Sequence, residues 1–317
     1  MTAHGAGGGD PLDRLPLRFL IGTTASGKSR LALDLAPRLG AEVVALDSMT
    51  VYRGLDVGTA KPTPAERALV RHHLLDVADP AERYDVQRYL ADVRDALEDI
   101  ERRGATPLFV GGTGFYLAAL LRGIFEGPPI DPELRRGLEA RMAREGGAVL
   151  HAELAAVDPD AAERIHPNDE RRTVRALEVF QQTGSTLTSL QEQWSGERSE
   201  RERRATIVGL APPAEILERR IVERTAEMLA AGWPDEALRL SRGDGLGPSA
   251  IQALGYDTAL ALGRGEVEFD EARDLIALRT RQFARRQRTW FRKFDVRWID
   301  PLSPDAASDA LATFLAD

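Results

Sequence analysis

The stretch GTTASGKS, residues 22–29, matches the phosphate-binding pattern G-x-x-x-x-G-K-[ST]. The apolar residues 17–21 before it read as a short strand, and residues 30–36 after it read as the first turns of a helix. In this setting the N–H groups of the loop and the positive N-terminus of the helix converge on a diphosphate. Lys28 adds a positive charge, and the Ser29 hydroxyl is a ligand for Mg²⁺. The stretch predicts a diphosphate site without identifying the molecule that carries the diphosphate.

Further apolar runs alternate with segments of helical periodicity along the chain. The segment 85–103 repeats its apolar residues near the 3.6-residue period of a helix, as do 214–231 and 271–294. We therefore predict an α/β fold of the P-loop NTPase type, with a doubly wound parallel sheet at its core. The strands that we expect besides 17–21 lie at 41–46, 72–76, 106–110, 206–210 and 296–299.

The strand pattern is interrupted after residue 126. From residue 133 to about residue 193 the periodicity is helical, which predicts an all-helical insertion domain. We expect four parts: a disordered N-terminus at 1–14, the first part of the core at 15–126, the insertion at 127–204, and a completion of the core with basic C-terminal helices at 205–317.

Composition excludes several classes of protein. The 317 residues include no cysteine, which excludes disulfides, Cys-ligated zinc and a thiol nucleophile. We find no apolar run long enough to cross a bilayer and no secretory signal, so we expect a cytoplasmic protein without membrane contact. The net charge of −8 argues against nucleic acid, but clustered arginines at 171–175, 198–204 and 279–292 still suit phosphates. Composition alone favours solvated arginine faces over an RNA site.

Two side chains near the loop are candidates for chemistry. Asp47 follows the strand 41–46, where a carboxylate either binds Mg²⁺, acts as a general base or simply caps the strand end. Thr113, in the turn GGTG at 111–114, either donates to an anion or belongs to a tight turn. The residues themselves leave three functions open: phosphoryl transfer, a reaction with a diphosphate leaving group, and a nucleotide-dependent binding module.

An ordered set of motifs decides among these functions. Through nearly its whole length the chain resembles tRNA dimethylallyltransferase, also called tRNA isopentenyltransferase. The matching motifs are GTTASGKS at 22–29, DSMTVYRGLDVGTAKP at 47–62, HHLLD at 72–76, GGTGFYL at 111–117, HPNDERRTVRALEV at 166–179, GYDTAL at 255–260 and TRQFARRQRTWFRK at 280–293.

The resemblance implies a reaction and its partners. A dimethylallyl group passes from dimethylallyl diphosphate to the exocyclic N6 amine of the adenosine just 3′ of the tRNA anticodon. Mg²⁺ is the implied cofactor, with Ser29 as its protein ligand, and we expect a monomer. The alternatives are an adenylate isopentenyltransferase that modifies free adenine nucleotide and a P-loop small-molecule kinase. The insertion domain favours tRNA, because a small nucleotide does not require such a domain.

The resemblance also implies roles for individual residues. Asp47 accepts a hydrogen bond from the adenine amine and takes its proton, with Lys28, Thr113 and Arg135 as further catalytic positions. Arg220 matches an arginine that supports the diphosphate, with Arg219 as the alternative. The implied diphosphate site is Gly22, Thr23, Thr24, Ala25, Ser26, Gly27, Lys28, Ser29 and Arg220, and the implied tRNA site is Asp47, Ser48, Met49, Thr50, Thr113, Arg135, Arg171, Arg172, Thr173, Val174 and Arg175.

Two residues depart from the family pattern. Thr23 stands where the family usually has Pro, which leaves the anion site intact. Thr50 stands where the family usually has Gln, in the stretch that contacts the target nucleotide. A threonine cannot make the two-point contact of an amide, so we expect a water or a neighbouring side chain to complete the recognition of the base.

Overall fold

The predicted parallel sheet is present in the computed structural model of the chain, which describes residues 9–124, 127–128, 131–192, 199–242 and 245–316. Within these residues the sheet has six strands, all parallel, in the order β3-β2-β4-β1-β5-β6. The strands are β1 Arg18–Gly22, β2 Ala41–Leu46, β3 His72–His73, β4 Thr106–Gly111, β5 Thr206–Leu210 and β6 Arg297–Ile299.

The middle of the sheet is inaccessible to solvent because helices cover both of its faces. Phe19, Leu20 and Ile21 of β1 have no exposed surface, and Phe19 stacks on Phe109 of β4. A strand that is buried on both sides needs apolar residues at successive positions, which is the pattern of the predicted runs. The helices of this part of the chain are α1 Pro11–Arg14, α2 Lys28–Arg38, α3 Pro64–Leu69, α4 Val86–Arg102 and α5 Gly114–Arg122, and, after the insertion, α11 Glu200–Arg204, α12 Ala214–Ala230, α13 Trp233–Leu240, α14 Tyr256–Gly263, α15 Phe269–Phe291 and α16 Ala306–Leu315.

The strand order brings three loops to one edge of the sheet. Strand β4 lies between β2 and β1, with Leu46 of β2 and Ile21 of β1 both in register with Gly111. The strands are parallel, so their carboxyl ends meet at the same edge, where ligands bind in folds of this type. The loop 23–27, the segment 47–50 and the turn 112–113 therefore begin side by side.

The chain forms two compact units, Met1–Arg122 with Glu200–Asp317, and Gly123–Ser199. The described residues of the second unit form helices and no strand, as predicted for the insertion. Their core includes Leu138, Leu150, Leu154 and Leu177. The helices are α6 Pro132–Glu145, α7 Gly147–Val157, α8 Pro159–Arg164, α9 Glu170–Thr183 and α10 Leu187–Glu192.

Three expected boundaries differ in the structure. The second unit begins at Gly123 rather than at 127. It ends at Ser199 rather than at 204, because Glu202 of α11 is buried and forms a two-point ion pair with Arg122 of the first unit. Disorder over 1–14 is wrong for residues 11–14, which form α1, while residues 1–8 lie outside the described residues. Asp10 caps α1, and the buried Leu12 anchors it to the core.

The basic segment around residue 201 is part of that anchor. Arg201 forms ion pairs with Asp10 and Asp13, and the Arg204 guanidinium donates to the Asp13 carbonyl. These arginines therefore support the N-terminal segment of the first unit. Among the described residues, no helix is long and apolar enough to cross a membrane.

Candidate active site

The loop between β1 and α2 has the backbone shape of an anion site. Ala25 and Gly27 have left-handed backbones, with φ of 60° and 100° respectively, which turns successive N–H groups toward one point. Gly27 directly precedes α2, whose first N–H groups have no partner within the helix. The Lys28 amino group donates to the Thr23 carbonyl across the loop at 2.7 Å.

The first two residues of the motif lie beneath the loop. A Cβ on Gly22 would lie 2.7 Å from the Ser26 hydroxyl and 3.0 Å from the Leu210 carbonyl, so a side chain does not fit there. Thr23 is 3% exposed and offers its carbonyl to Lys28. Both residues therefore shape the loop, and the later residues of the motif are the ones that face the solvent-filled space above it.

That space is a cavity of about 400 Å³ in the first unit. It brings together residues that the sequence places far apart: the phosphate loop, the segment after β2 and the turn after β4. A second cavity, of about 370 Å³, shares Lys28, Ser29 and Arg224 with the first and adds Ser26 and Gly27. Of the residues singled out from the sequence, the first cavity is lined by Thr24, Ala25, Lys28, Ser29, Asp47, Ser48, Met49, Thr50 and Thr113.

Positive charge is concentrated at the phosphate end of the cavity. Burial of its amino group and, to a lesser extent, the neighbouring Arg224 guanidinium lower the pKa of Lys28 to about 7, and Asp47 opposes both effects. Burial also lowers the pKa of Arg224. Arg224 lines both cavities and makes no hydrogen bond or ion pair within the described residues, although the Asp47 and Glu227 carboxylates oppose the effect of burial on its pKa. Two cations that destabilise each other are a ready site for a polyanion.

Asp47 divides its two carboxylate oxygens between two tasks. Oδ1 accepts hydrogen bonds from the backbone N–H groups of Met49 at 2.8 Å and Thr50 at 3.2 Å. Oδ2 accepts no hydrogen bond from the described residues, and the side chain lines the cavity. The strand-end cap and the general base were alternatives in the sequence, but the geometry allows both, one on each oxygen.

The GGTG turn is tied to the same strand end. The N–H groups of Gly112 and Thr113 both donate to the carbonyl of Leu46, at 3.1 Å and 3.2 Å, and Leu46 directly precedes Asp47. Thr113 lines the cavity next to this bond pair. Thr113 can therefore belong to a tight turn and also offer its side chain to a ligand, just as Asp47 can cap the strand end and also accept a proton.

A second arginine of α12 joins the one expected at the diphosphate site. Arg220 lines neither cavity, but its guanidinium lies 4.0 Å from the position of a Cβ on Gly27, so it stays a prediction, whereas Arg219 lies 3.7 Å from Glu223 on the exposed face of α12. Arg224, one turn further along, lines both cavities. The periodicity of α12 could have identified it, because Ile221, Thr225 and Met228 line the first cavity on the same face.

Thr50 has a buried polar group that faces the site. The residue is 8% exposed, and its hydroxyl has no hydrogen-bond partner among the described residues although it lines the cavity. A buried hydroxyl without a partner is costly, so a ligand or a water that bonds to it is favoured there. Thr50 is also one of the two positions where the sequence departs from the pattern of the family it resembles.

Two of the predicted arginines of the second unit are held by one carboxylate. Glu178 has no exposed surface and accepts from Arg135 at 2.6 Å and from Arg175 at 2.7 Å. Arg175 also donates to the Pro128 carbonyl at 2.8 Å. Arg135 and Arg175 thus hold α6, α9 and the start of the unit together.

The stretch 171–175, predicted as one continuous tRNA site, lies on the helix α9, so its side chains point in different directions. Thr173 and Val174 are 0% and 4% exposed, so they pack inside the second unit and do not contact a macromolecule. Arg171 and Arg172 are exposed, and Arg172 lies 3.4 Å from Asp169. Only a part of the predicted stretch is therefore open to tRNA.

Apolar side chains form the rest of the wall of the first cavity, and the described residues do not by themselves form a metal site. Its walls include the side chains of Val43, Ile221, Met228 and Phe283. Among the described residues, no group of three or more His, Asp or Glu side chains is arranged to hold a metal ion. A cation there would take most of its ligands from a bound diphosphate and from water.

Two family models match the sequence. The IPP transferase model matches residues 50–294, and the isopentenyl transferase model matches residues 15–79. The tRNA dimethylallyltransferase of Methylococcus capsulatus is 47% identical over 93% of this chain and 95% of its own length. The tRNA dimethylallyltransferase of Deinococcus radiodurans is 46% identical over the same shares of the two chains.

Solved structures agree with the sequence relatives. The full-length tRNA isopentenylpyrophosphate transferase of Bacillus halodurans matches with a TM-score of 0.66 and 35% identity, over 95% of both chains. A eukaryotic dimethylallyltransferase whose crystal structures capture it acting on tRNA matches with a TM-score of 0.77 and 28% identity, over 94% of this chain and 78% of that chain.

Proposed function

The chain belongs to the IPP transferase family, and we propose that it transfers a dimethylallyl group from dimethylallyl diphosphate to the N6 amine of the adenosine 3′ of the anticodon in tRNA, giving N6-dimethylallyladenosine. One observation carries the proposal. Asp47, with one carboxylate oxygen unused, shares a single cavity with the phosphate loop and with two cations. This is an acceptor for a proton beside a site for a departing anion.

The diphosphate is the leaving group in this reaction. Its negative charge grows as the bond between the allylic carbon and oxygen breaks. The N–H groups at the start of α2, together with Lys28 and Arg224, are fixed in advance around that charge. Donors that need no reorganisation lower the barrier most effectively.

Ser29 suits a magnesium ion bound together with the diphosphate. It is exposed at the first turn of α2 and lines both cavities. Mg²⁺ commonly keeps several waters and binds through one or two protein oxygens plus substrate phosphates, so a single hydroxyl is sufficient. When bound, the ion neutralises charge on the leaving diphosphate.

The adenine amine requires help as a nucleophile. Its lone pair is delocalised into the ring, so it attacks well only when it is held close to the allylic carbon. The free Oδ2 of Asp47 accepts a hydrogen bond from the amine and takes one of its protons as the nitrogen–carbon bond forms. The proton then leaves to solvent, and diphosphate departs with the electron pair of the broken carbon–oxygen bond.

The remaining walls of the cavity suit the dimethylallyl chain and the adenine. Val43, Ile221, Met228 and Phe283 offer apolar surface to the dimethylallyl chain. Thr113 and the unpartnered hydroxyl of Thr50 are placed to hold the adenine edge. The base must leave its stack in the anticodon loop to reach them, at a cost of a few kcal/mol. Arg171 and Arg172 of the second unit are exposed and suit the tRNA backbone, whereas Arg135 is bound to Glu178 within that unit.

We further propose a cytoplasmic monomer. The residues that the proposed reaction requires lie together in the first cavity, so the proposal needs no second subunit, and its substrate is a tRNA. The site chemistry, an anion-binding end next to an apolar wall, supports dimethylallyl diphosphate as the donor.

Labelled dimethylallyl diphosphate, incubated separately with tRNA, AMP and no acceptor, tests the proposal. We expect label in tRNA at the adenosine 3′ of the anticodon, and loss of that label when EDTA removes Mg²⁺. Label in AMP but not in tRNA would replace the proposal with the adenylate reaction. Transfer of the terminal phosphoryl of ATP, with no use of the prenyl donor, would replace it with a kinase.

A further inference from the structure

One buried amide joins the two halves of the cavity. Gln287 lies on α15 and is 6% exposed. Its Oε1 accepts a hydrogen bond from the backbone N–H of Thr24 at 3.0 Å, and its Nε2 donates to the carbonyl of Gly112 at 2.9 Å. The side chain therefore bridges the phosphate loop and the GGTG turn, although its own helix belongs to neither.

The bridge continues to Asp47, the proposed general base. The N–H of Gly112 donates to Leu46, which directly precedes Asp47 in the chain. A short series of bonds thus runs from Thr24 through Gln287 and Gly112 to the strand end that carries Asp47. The diphosphate is held at one end of this series and the adenine amine at the other.

Only an amide side chain serves both ends of the bridge. A glutamate would keep the acceptor for Thr24 but lose the donor for Gly112, and a leucine would lose both. The neighbouring glycine is adapted to it, since a Cβ on Gly112 would overlap the Nε2 atom of Gln287 and would lie 3.3 Å from the Gly22 carbonyl. The Thr24 N–H is also occupied by this bond, so anion recognition falls to the loop N–H groups that follow it.

We propose that Gln287 is a positioning residue that sets the separation of the leaving diphosphate and the attacking amine; this inference rests on the proposed function. Gln287 does not take part in proton transfer. When the separation is correct, the amine captures the allylic carbon as the diphosphate departs. When the two loops drift apart, water captures that carbon instead, and dimethylallyl alcohol and diphosphate are released without any change in the tRNA.

The test compares Gln287→Leu, which removes both bonds at similar volume, with Gln287→Glu, which keeps the acceptor. The exposed Gln282→Leu, on the same helix, is the matched control. We measure kcat, the Kd for tRNA, and the ratio of dimethylallyl alcohol to prenylated tRNA from labelled donor. A displacement of about 1 Å costs on the order of 10²-fold in rate, so we expect kcat to fall about 10- to 100-fold in Gln287→Leu.

The alcohol-to-product ratio identifies a positioning role. We expect it to rise several-fold in Gln287→Leu, less in Gln287→Glu, and not at all in Gln282→Leu, with the Kd for tRNA unchanged. A lower content of folded protein reduces both products equally and leaves the ratio constant. An unchanged ratio in both Gln287 variants would overturn the inference. Prenylation by the unaltered protein is measured in the same assay, and its absence would refute the proposed function instead.

A second pair of variants keeps the inference testable if Gln287→Leu does not fold. Gly112→Ala places a methyl group against the amide, and we expect the same rise in the ratio. Combining it with Gln287→Ala removes the overlap, so we expect the double variant to be no worse than Gln287→Ala alone. Additive losses would show that Gly112 acts independently of Gln287 and would overturn the inference.

Discussion

The phosphate loop and the stretch 171–175 are both short motifs, but they use their residues differently. From Thr24 to Ser29 every residue of the loop lines one or both cavities. In the second stretch, Arg171 and Arg172 are exposed, Thr173 and Val174 are buried, and Arg175 is held by Glu178. A contiguous motif is therefore a contiguous site in the first region only.

The difference follows from the backbone of each region. A loop that binds an anion does so largely through N–H groups, and left-handed residues at Ala25 and Gly27 turn successive groups the same way. A helix rotates each side chain by about 100° from the one before, so residues two positions apart in α9 face nearly opposite directions. Variants in the two regions test this contrast.

We expect the largest effect on kcat from a change at Asp47, the proposed general base beside the phosphate loop. Asp47→Asn keeps an oxygen for the N–H groups of Met49 and Thr50 but does not take a proton. We expect kcat to fall about 10²- to 10⁴-fold with the Kd for tRNA within a factor of two, measured by single-turnover prenylation and filter binding. Asp47→Ala loses the turn as well and should be no more active. Near-normal turnover of Asp47→Asn would remove Asp47 from proton transfer.

The next effect separates two arginines of α12. Arg224→Ala removes a charge that lines both cavities, and charge-assisted hydrogen bonds are worth about 1.5–3 kcal/mol, so we expect the donor to bind roughly 10- to 100-fold more weakly. Arg219→Ala, the matched control on the exposed face, should change donor binding less than threefold. Calorimetric titration with a non-reactive diphosphate analogue measures both. An equal loss in the two variants would exclude a specific role for Arg224 in donor binding.

A smaller effect comes from the titration of Lys28. Its pKa is lowered to about 7 in the free protein, and a bound diphosphate must raise it because the anion favours the charged amine. Donor affinity is therefore complete below pH 7 and falls as the pH rises from 7 to the pKa of the complex. We expect at most about tenfold per pH unit. Lys28→Arg keeps its charge throughout this range, so its affinity should lack this fall; parallel profiles for the two proteins would contradict the assignment.

We expect the smallest effects in the stretch 171–175, where an exposed residue and a buried residue should behave differently. Arg172→Ala should weaken tRNA binding a few-fold and reduce the salt slope by about 0.7–0.9, the value for one phosphate contact. Val174→Ala leaves a cavity in the second unit and should lower its stability by about 1–3 kcal/mol with the salt slope unchanged. Salt titrations and thermal unfolding measure the two. Equal salt slopes in Arg172→Ala and the unaltered protein would exclude that arginine from the tRNA backbone.

Much of the first unit could be predicted from residue order alone. Runs of apolar residues predict the buried strands, because a strand covered on both faces must be apolar throughout. The N-terminal segment was missed since its stability comes from distant partners: Asp10 is paired with Arg94 and Arg201, which no local pattern links. Arg224 was not among the predicted residues, because the face of α12 that meets the cavity depends on packing and not on the neighbouring residues of a motif.

The sequence by itself determined the phosphate loop, the parallel sheet, the helical character of the insertion and the resemblance to a prenyl transferase of tRNA, because each depends on neighbouring residues or on their order. The tertiary structure decided which arginine faces the cavity, which oxygen of Asp47 remains free, and that Gln287 spans two loops. These depend on contacts between residues distant in the chain, and such contacts exist only once the strands and helices have packed.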